Sequence, residues 1–97
     1  MTGGWVYILA NRYRGTTYIG VTAHLRERVA QHRAGTSNGF AADYGCNLLV
    51  YAEPYDRIEA AIYREKQLKK WNREWKFRLI EEQNPDWEDR FDDLVVV

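Results

Sequence analysis

A single carboxylate interrupts the apolar face of a helix that is predicted between Asp56 and about Trp71. At about 100° per residue, Glu65 points in the same direction as the apolar positions of that helix. Those positions are Ile58, Ala61, Ile62 and Leu68. A buried charge without a partner is unfavourable, so Glu65 needs either the ammonium of Lys69, four residues later, or a bound metal ion. A magnesium site needs only one or two carboxylates besides water and phosphate oxygens, and the sequence leaves both alternatives open.

Four basic side chains surround this carboxylate along the chain. They are Lys66, Lys69, Lys70 and Arg73. Lys66, Lys70 and Arg73 follow one another at i, i+4 and i+7, so they share one side of the helix next to Glu65. Such a stripe could follow a phosphate backbone and bind nucleic acid. A solvated helix face is the simpler alternative for the same pattern.

Two tyrosines and two helix residues complete the set of candidate side chains. Tyr7 and Tyr18 lie on two predicted strands of one hairpin, where residues on the same face can meet. The alternative is a pair of tyrosines that only fill the core or the sheet surface. Arg28 and His32 are spaced i, i+4 on a predicted helix and therefore share a face, with an exposed polar surface as their alternative.

Three strands are predicted from apolar, aromatic and β-branched segments. They cover residues 5–10, 17–21 and 47–52. The first two are expected to form a hairpin with a longer loop, and Pro54 is expected to end the third strand.

Three helices are expected to hold the remaining candidate residues. Thr22 is predicted to cap the first, and an Asp56-x-x-Glu59 capping box is predicted to begin the second. The third is predicted over Arg73–Gln83 and is closed by Asn84 before a proline. The segment from Phe40 to Cys46 is ambiguous. The element order β-β-α-β-α-α indicates an α+β domain.

Composition limits the class of protein further. The chain has 97 residues, 45% of them hydrophobic, which is typical of one ordinary globular domain. Its longest apolar run, residues 5–10, is too short for a membrane span or a secretion signal. The single cysteine, Cys46, permits no internal disulfide. We therefore expect a cytoplasmic protein with no membrane partner.

The formal net charge of +0 hides an uneven distribution of charge along the chain. Residues 1–80 contain 13 Lys and Arg against 7 Asp and Glu, whereas residues 81–97 contain 1 against 7. A basic body suits an anionic partner such as nucleic acid. The alternative is a solvated surface over which the acidic tail folds back.

These candidate residues fall in an order that covers nearly the whole chain. The segments concerned are Trp5-Val6-Tyr7, Tyr18-Ile19-Gly20, Val21-Thr22, Leu25, Arg28, His32, Phe40 with Tyr44, Leu49-Val50-Tyr51, the run from Glu59 to Trp71, Lys76, Leu79-Ile80-Glu81 and Asn84-Pro85-Asp86-Trp87. In this order they resemble the GIY-YIG nucleases, specifically the small stand-alone bacterial branch. The first triad departs from the family pattern, because Trp5 and Val6 stand where the family has glycine and isoleucine.

The resemblance implies a three-stranded antiparallel sheet flanked by helices, and it implies a role for each matching residue. Tyr7 and Tyr18 match the two motif tyrosines, one of which helps to deprotonate the attacking water. Arg28 matches the arginine that binds the scissile phosphate, and His32 matches an assisting His or Tyr one turn later.

The remaining implied residues concern the metal and the end of the domain. Glu65 matches the single acidic metal ligand, which implies Mg²⁺ or Mn²⁺ as cofactor, and Asn84 resembles a late asparagine near the phosphate. The resemblance also implies one domain over residues 1–97, with a catalytic core over about residues 4–85. The acidic tail, residues 86–97, is expected to dock through Trp87, Phe91 and Leu94.

Three hypotheses about function follow. The first is a metal-dependent endonuclease that hydrolyses phosphodiester bonds in DNA, in repair or recombination. The second is a nucleic-acid-binding module with weak catalysis, and the third is a protein-interaction domain that uses the acidic tail and exposed tryptophans. The choice between DNA and RNA, the sequence preference and the oligomeric state stay open.

Overall fold

A computed structural model of the protein describes residues 2–35 and 39–96. The elements are β1 (Gly4–Ala10), β2 (Thr17–Thr22), α1 (Leu25–Arg33), α2 (Phe40–Asp43), β3 (Leu48–Tyr55), α3 (Ile58–Lys70), α4 (Arg73–Gln83) and a 3₁₀ helix (Phe91–Val96). The strands form one antiparallel sheet in the order β2-β1-β3. The predicted α+β class and the order of the main elements are confirmed, and α2 is a four-residue addition to them.

The central strand divides the core into two halves, because successive side chains of a strand point to opposite faces. Val6, Ile8 and Ala10 of β1 pack on one face with apolar residues of α3 and α4. Tyr7 and Leu9 point to the other face, where they pack with apolar residues of α1. The sheet therefore separates α1 from α3.

A group of polar side chains lies where α3 meets β3, and we call it the Glu53 cluster. It consists of Tyr51, Glu53, Tyr55 and Arg64. The hydroxyls of Tyr51 and Tyr55 donate to the two carboxylate oxygens of Glu53 at 2.5 and 2.6 Å, and Nε of Arg64 donates at 3.1 Å. Tyr51, Glu53 and Tyr55 are spaced two residues apart on β3, so all three side chains lie on the face of the sheet that α3 covers.

The acidic end of the chain packs against β3. Trp87 is 2% exposed, and its indole Nε1 donates to Glu81 at 2.7 Å. The backbone amide of Leu49 donates to the carboxylate of Asp89 at 3.1 Å, and that carboxylate also pairs with Arg33. Trp87 is therefore buried and inaccessible to a partner protein. The side chain of Leu94 lies outside the described residues.

Two predicted helix starts are wrong. α1 begins at Leu25 with His24 as N-cap, and the Thr22 hydroxyl accepts a hydrogen bond from the amide of His24 instead of capping the helix. α3 begins at Ile58 with Arg57 as N-cap, without a side-chain cap from the Asp56-x-x-Glu59 pattern. In both cases the cap pattern alone does not decide where the helix begins.

Two further expectations need correction. β3 continues through Pro54 to Tyr55, which is possible because β3 is an edge strand and the proline nitrogen needs no partner there. Ile62, expected in the core, is 37% exposed. The predicted third helix, Arg73–Gln83, is confirmed, and Asn72 caps it by accepting from the amide of Trp75. No helix in the described ranges is long and apolar enough to cross a membrane.

Candidate active site

Tyr7 lies at the centre of the candidate site, and a glycine determines the direction of its ring. Tyr7 pairs with Gly20 across β1 and β2. A Cβ atom built on Gly20 would lie 2.4 Å from both Cζ and the hydroxyl oxygen of Tyr7. Any larger residue at position 20 would therefore collide with the ring. Because this position is glycine, the buried phenol crosses β2 and points toward the outer edge of the sheet.

Tyr18 and His32 complete an aromatic group around that phenol. Tyr18 lies two residues from Gly20 on β2 and so shares its face. Ring centroids are 6.3 Å apart for Tyr7 and Tyr18, 6.0 Å for Tyr7 and His32, and 5.3 Å for Tyr18 and His32. The Tyr7 hydroxyl lies 3.1 Å from Nε2 of His32 and forms a buried hydrogen bond with it.

α1 presents a cation and an imidazole to this group. Leu25 and Val29 anchor the helix in the core, and this orients Arg28 and His32 toward Tyr7. Burial raises the pKa of Tyr7 most strongly and Tyr18 raises it further, whereas the charge and hydrogen bonding of Arg28 lower it. The net effect is a pKa well above that of an ordinary tyrosine. Tyr7 is thus protonated at neutral pH.

His32 is neutral in the same environment. Its side chain is buried, and this burial, followed by the nearby charge of Arg28, lowers its pKa below the ordinary value of 6.5. Nδ1 is buried and has no hydrogen-bond partner among the residues that the structure describes. A neutral imidazole has one nitrogen free to accept a proton. His32 can therefore take the proton that Tyr7 holds.

Glu65 reaches this group around the edge of the sheet. α3 packs on the face opposite to Tyr7, yet the charge of Glu65 is among the interactions that raise the pKa of Tyr7. Its side chain is 13% exposed and pairs with Nζ of Lys69 at 3.0 Å. Lys69 in turn lines a surface groove together with Tyr18. The carboxylate is thus linked through Lys69 to the groove beside Tyr18, and its charge acts on the phenol of Tyr7.

We call Tyr7, Tyr18, Arg28, His32 and Glu65 the active-site cluster. Within the described ranges no three His, Cys, Asp or Glu residues are grouped so as to hold a metal ion. A metal ion bound at this cluster would have the carboxylate of Glu65 as its protein ligand among the described residues. One hard oxygen ligand beside water and a substrate phosphate fits Mg²⁺ or Mn²⁺ and does not fit a closed zinc site. Lys69 neutralises the same carboxylate when no other cation is near.

The structure does not bring Asn84 to the active-site cluster. Asn84 is 3% exposed and ends α4. Its Nδ2 donates to the carbonyl oxygens of Val50 at 3.1 Å and Glu88 at 2.9 Å, and its Oδ1 accepts from the amide of Glu88. Val50 is the extra residue of a β-bulge in β3, the strand farthest from β2. Asn84 therefore supplies the bulge carbonyl with a partner, which is a structural role.

The four predicted nucleic-acid-binding residues differ in their surroundings. Lys66 and Lys70 are exposed, and Lys69 pairs with Glu65. Arg73 donates to the carbonyl of Arg14 at 2.7 Å and lies over a phenylalanine ring. Arg73 is thus engaged in holding the β1–β2 loop to α4, whereas Lys66 and Lys70 have no ion-pair partner among the described residues.

Two positions of the family pattern acquire a role only from the tertiary structure. Gly20 belongs to a recognised triad, but only its pairing with Tyr7 shows why a side chain is excluded there. Lys76, on α4, lines the groove beside Tyr18 and is half-buried. The family resemblance includes Lys76 but gives it no role, because its partners in the groove come from β2 and α3.

The fold and the active-site cluster define a class of protein, a small α+β catalytic domain with two tyrosines at one edge of a three-stranded sheet. The model of the GIY-YIG catalytic domain matches residues 3–78, and the chain belongs to the GIY-YIG family. Nucleases of this family act on nucleic acids and generally use divalent metals.

Relatives of similar length bear the name UPF0213 protein. The relative from Staphylococcus haemolyticus is 30% identical over 82 residues, which cover 84% of this chain and 99% of the relative. The relative from Syntrophus aciditrophicus is 33% identical over 90 residues, covering 89% and 98%. The relative from Natronomonas pharaonis is 34% identical over 76 residues, covering 78% and 88%. No solved structure matches the chain significantly.

Proposed function

We propose that this protein is an endonuclease that hydrolyses phosphodiester bonds in DNA with one divalent cation, Mg²⁺ or Mn²⁺, held by Glu65. We treat residues 1–97 as one nuclease domain. The observation that carries the proposal is the meeting of two phenols, an imidazole, a guanidinium and a carboxylate at one strand edge, although they come from β1, β2, α1 and α3.

Arg28 is the proposed contact for the scissile phosphate. Its side chain is exposed, and its charge and hydrogen bonding act on the buried hydroxyl of Tyr7. Hydrolysis gathers negative charge on the phosphoryl oxygens, and a guanidinium stabilises such charge in a bidentate geometry. A divalent cation on Glu65 would supply positive charge to the same oxygens.

Tyr7 and His32 are the proposed acceptors of the proton from the attacking water. Tyr7 alone is a poor base, because burial raises its pKa and so keeps the phenol protonated. Its hydrogen bond to Nε2 of His32 offers a better route: the phenol oxygen accepts a proton from water while its own proton moves to Nε2. The lowered pKa of His32 keeps the imidazole neutral beforehand. Tyr18 holds the imidazole by ring contact.

The proposal is tested by incubating the purified protein with plasmid, branched and single-stranded DNA in the presence of Mn²⁺. Glu65→Ala is expected to lose cleavage by about a thousandfold or more, because the charge that holds the cation is gone. Glu59→Ala is the matched control, since Glu59 lies on the same helix and its side chain is 71% exposed. Cleavage that survives in Glu65→Ala rules the proposal out.

A second candidate function is a nucleic-acid-binding module without efficient catalysis. The observation that favours it is the ion pair of Lys69 with Glu65, which neutralises the carboxylate without any metal. This candidate predicts salt-sensitive binding to DNA or RNA that Lys66→Ala or Lys70→Ala weakens uniformly across sequences. Wild-type binding without any Mn²⁺-dependent cleavage would select it over the nuclease.

A further inference from the structure

A groove lies along the outer edge of β2, next to the active-site cluster. Its lining residues are Thr17, Tyr18, Ile19, Lys69 and Lys76, and its volume is about 270 Å³. Tyr18 belongs both to this groove and to the aromatic group with His32, where the two ring centroids are 5.3 Å apart. The groove is therefore a direct continuation of the proposed catalytic site along the surface.

The two lysines give this groove its charge. Lys69 comes from α3 and Lys76 from α4, so their ammonium groups approach the groove from different helices. Lys76 is half-buried and has no ion-pair partner within residues 2–35 and 39–96. A cation that is partly removed from water without a counter-charge favours the arrival of an anion. No carboxylate is among the described lining residues, and the nearby carboxylate of Glu65 is paired with Lys69.

We infer that this groove binds a second phosphate of the DNA strand, next to the scissile phosphate, with Lys76 as its main cationic contact. The inference rests on the proposed function, because the first phosphate is the one assigned to Arg28. Lys69 shares the groove and exchanges between Glu65 and the bound phosphate. The Tyr18 ring separates the two phosphate sites and so sets where the strand passes from one to the other.

Binding of DNA without cleavage tests this inference. Fluorescein-labelled single- and double-stranded oligonucleotides of about 20 nucleotides are titrated with protein in EDTA, and anisotropy is followed over a series of salt concentrations. Lys76→Ala is expected to bind about fivefold more weakly and to reduce the salt slope by about one. Arg78→Ala is the matched control, because Arg78 is an exposed cation on the same helix and outside the groove. Its expected change is below about twofold.

Each possible binding result either supports or overturns the second phosphate site. Equal losses in Lys76→Ala and Arg78→Ala would mean that only general charge acts, and the inference fails. It also fails if Lys76→Ala weakens binding of inorganic phosphate, measured by NMR shifts, but not of the oligonucleotides. Lys76→Arg keeps the charge and is expected to bind within about twofold of wild type, so it provides the comparison if the alanine variant does not fold. Since metal and cleavage are absent, a failure of nuclease activity leaves this result intact.

Discussion

The Glu53 cluster and the active-site cluster both combine two tyrosines, an arginine and a glutamate, but their hydrogen bonds are arranged differently. In the Glu53 cluster both phenols and the guanidinium converge on one carboxylate. In the active-site cluster the phenol of Tyr7 bonds to an imidazole, and the carboxylate of Glu65 pairs with a lysine that is 53% exposed. Only the second arrangement leaves an exposed arginine and a replaceable partner on the carboxylate.

The pKa values express the same contrast. Burial raises the pKa of Glu53, but the hydrogen bonds from Tyr51 and Tyr55 and the charge of Arg64 outweigh it and give a net decrease. Burial and the bond to Glu53 raise the pKa of Tyr55 to about 12. These groups hold one another in fixed charge states. A set of residue types therefore does not define a catalytic site, because the pattern of satisfied partners decides whether a substrate can bind.

Removing one hydroxyl from each region should give the largest difference between them. Tyr7→Phe is expected to lower the cleavage rate by about a hundredfold, because the proton path from water to His32 loses its oxygen. Tyr51→Phe removes a phenol of the Glu53 cluster and is expected to leave the rate per folded molecule unchanged. Single-turnover cleavage in Mn²⁺ measures both. Similar rates for the two variants would contradict the assignment of Tyr7.

Removing the charge from Glu53 tests the structural side of the comparison. Glu53→Gln is expected to lower the free energy of unfolding by about 2 kcal/mol, because Arg64 and both phenols lose a charged acceptor in a partly buried setting. Urea denaturation provides the measurement. The matched substitution Glu65→Gln should change stability by less than about 1 kcal/mol, since its ion pair is with an exposed lysine. Equal losses of stability in Glu53→Gln and Glu65→Gln would contradict a structural role that is specific to the Glu53 cluster.

The two regions should also lose stability in different pH windows. The pKa of His32 in the folded protein is lowered below 6.5, its ordinary value in the unfolded chain. Between the folded and the unfolded pKa the unfolded chain binds a proton that the folded protein excludes, so stability falls as pH falls. The pKa of Glu53 is lowered below 4.5, so its contribution is present above that pH and is lost as pH falls through the folded pKa.

His32→Gln is expected to remove the loss of stability in the higher pH window. Glu53→Gln is expected to remove the loss in the lower window. Unfolding free energies measured between pH 7 and pH 3 would show both steps. If the His32→Gln variant keeps the wild-type slope between pH 7 and pH 5, burial of a neutral imidazole is not the cause.

The smallest effect is expected at Lys69, the exchangeable partner of Glu65. Lys69→Ala should tighten Mn²⁺ binding by about threefold, because a competing cation near the carboxylate is removed. Calorimetric titration of Mn²⁺ into the protein without DNA measures this change. Lys66→Ala is the control on the same helix, and equal effects from both lysines would point to the general field of α3 rather than to the ion pair.

Short-range patterns predicted much of this molecule. The extended aromatic segments, the shared orientation of Arg28 and His32 and the bounds of α4 all depend on residues a few positions apart. The periods of strand and helix, 2 and 3.6 residues, set these relations before any packing occurs.

Other expectations depended on tertiary packing, and the structure differs from them. Ile62 follows the apolar pattern of α3 but is 37% exposed, because the sheet covers only part of that face. Pro54 remains in β3 because that strand happens to lie at the sheet edge. Asn84 resembles a functional residue of the family, yet its side chain donates to the carbonyl of Val50 in the β-bulge, and no sequence pattern predicts that bulge.

The sequence by itself determined which side chains could take part in chemistry and which local faces they share. Only the tertiary structure decided that Tyr7 crosses Gly20 to the edge where Glu65 arrives from the opposite side of the sheet. It also decided that Lys69 and Lys76 face one groove. The physical reason is distance along the chain. Glu65, Lys69 and Lys76 are tens of positions from the strands β1 and β2, and strand pairing and helix packing bring them together, whereas local periodicity cannot.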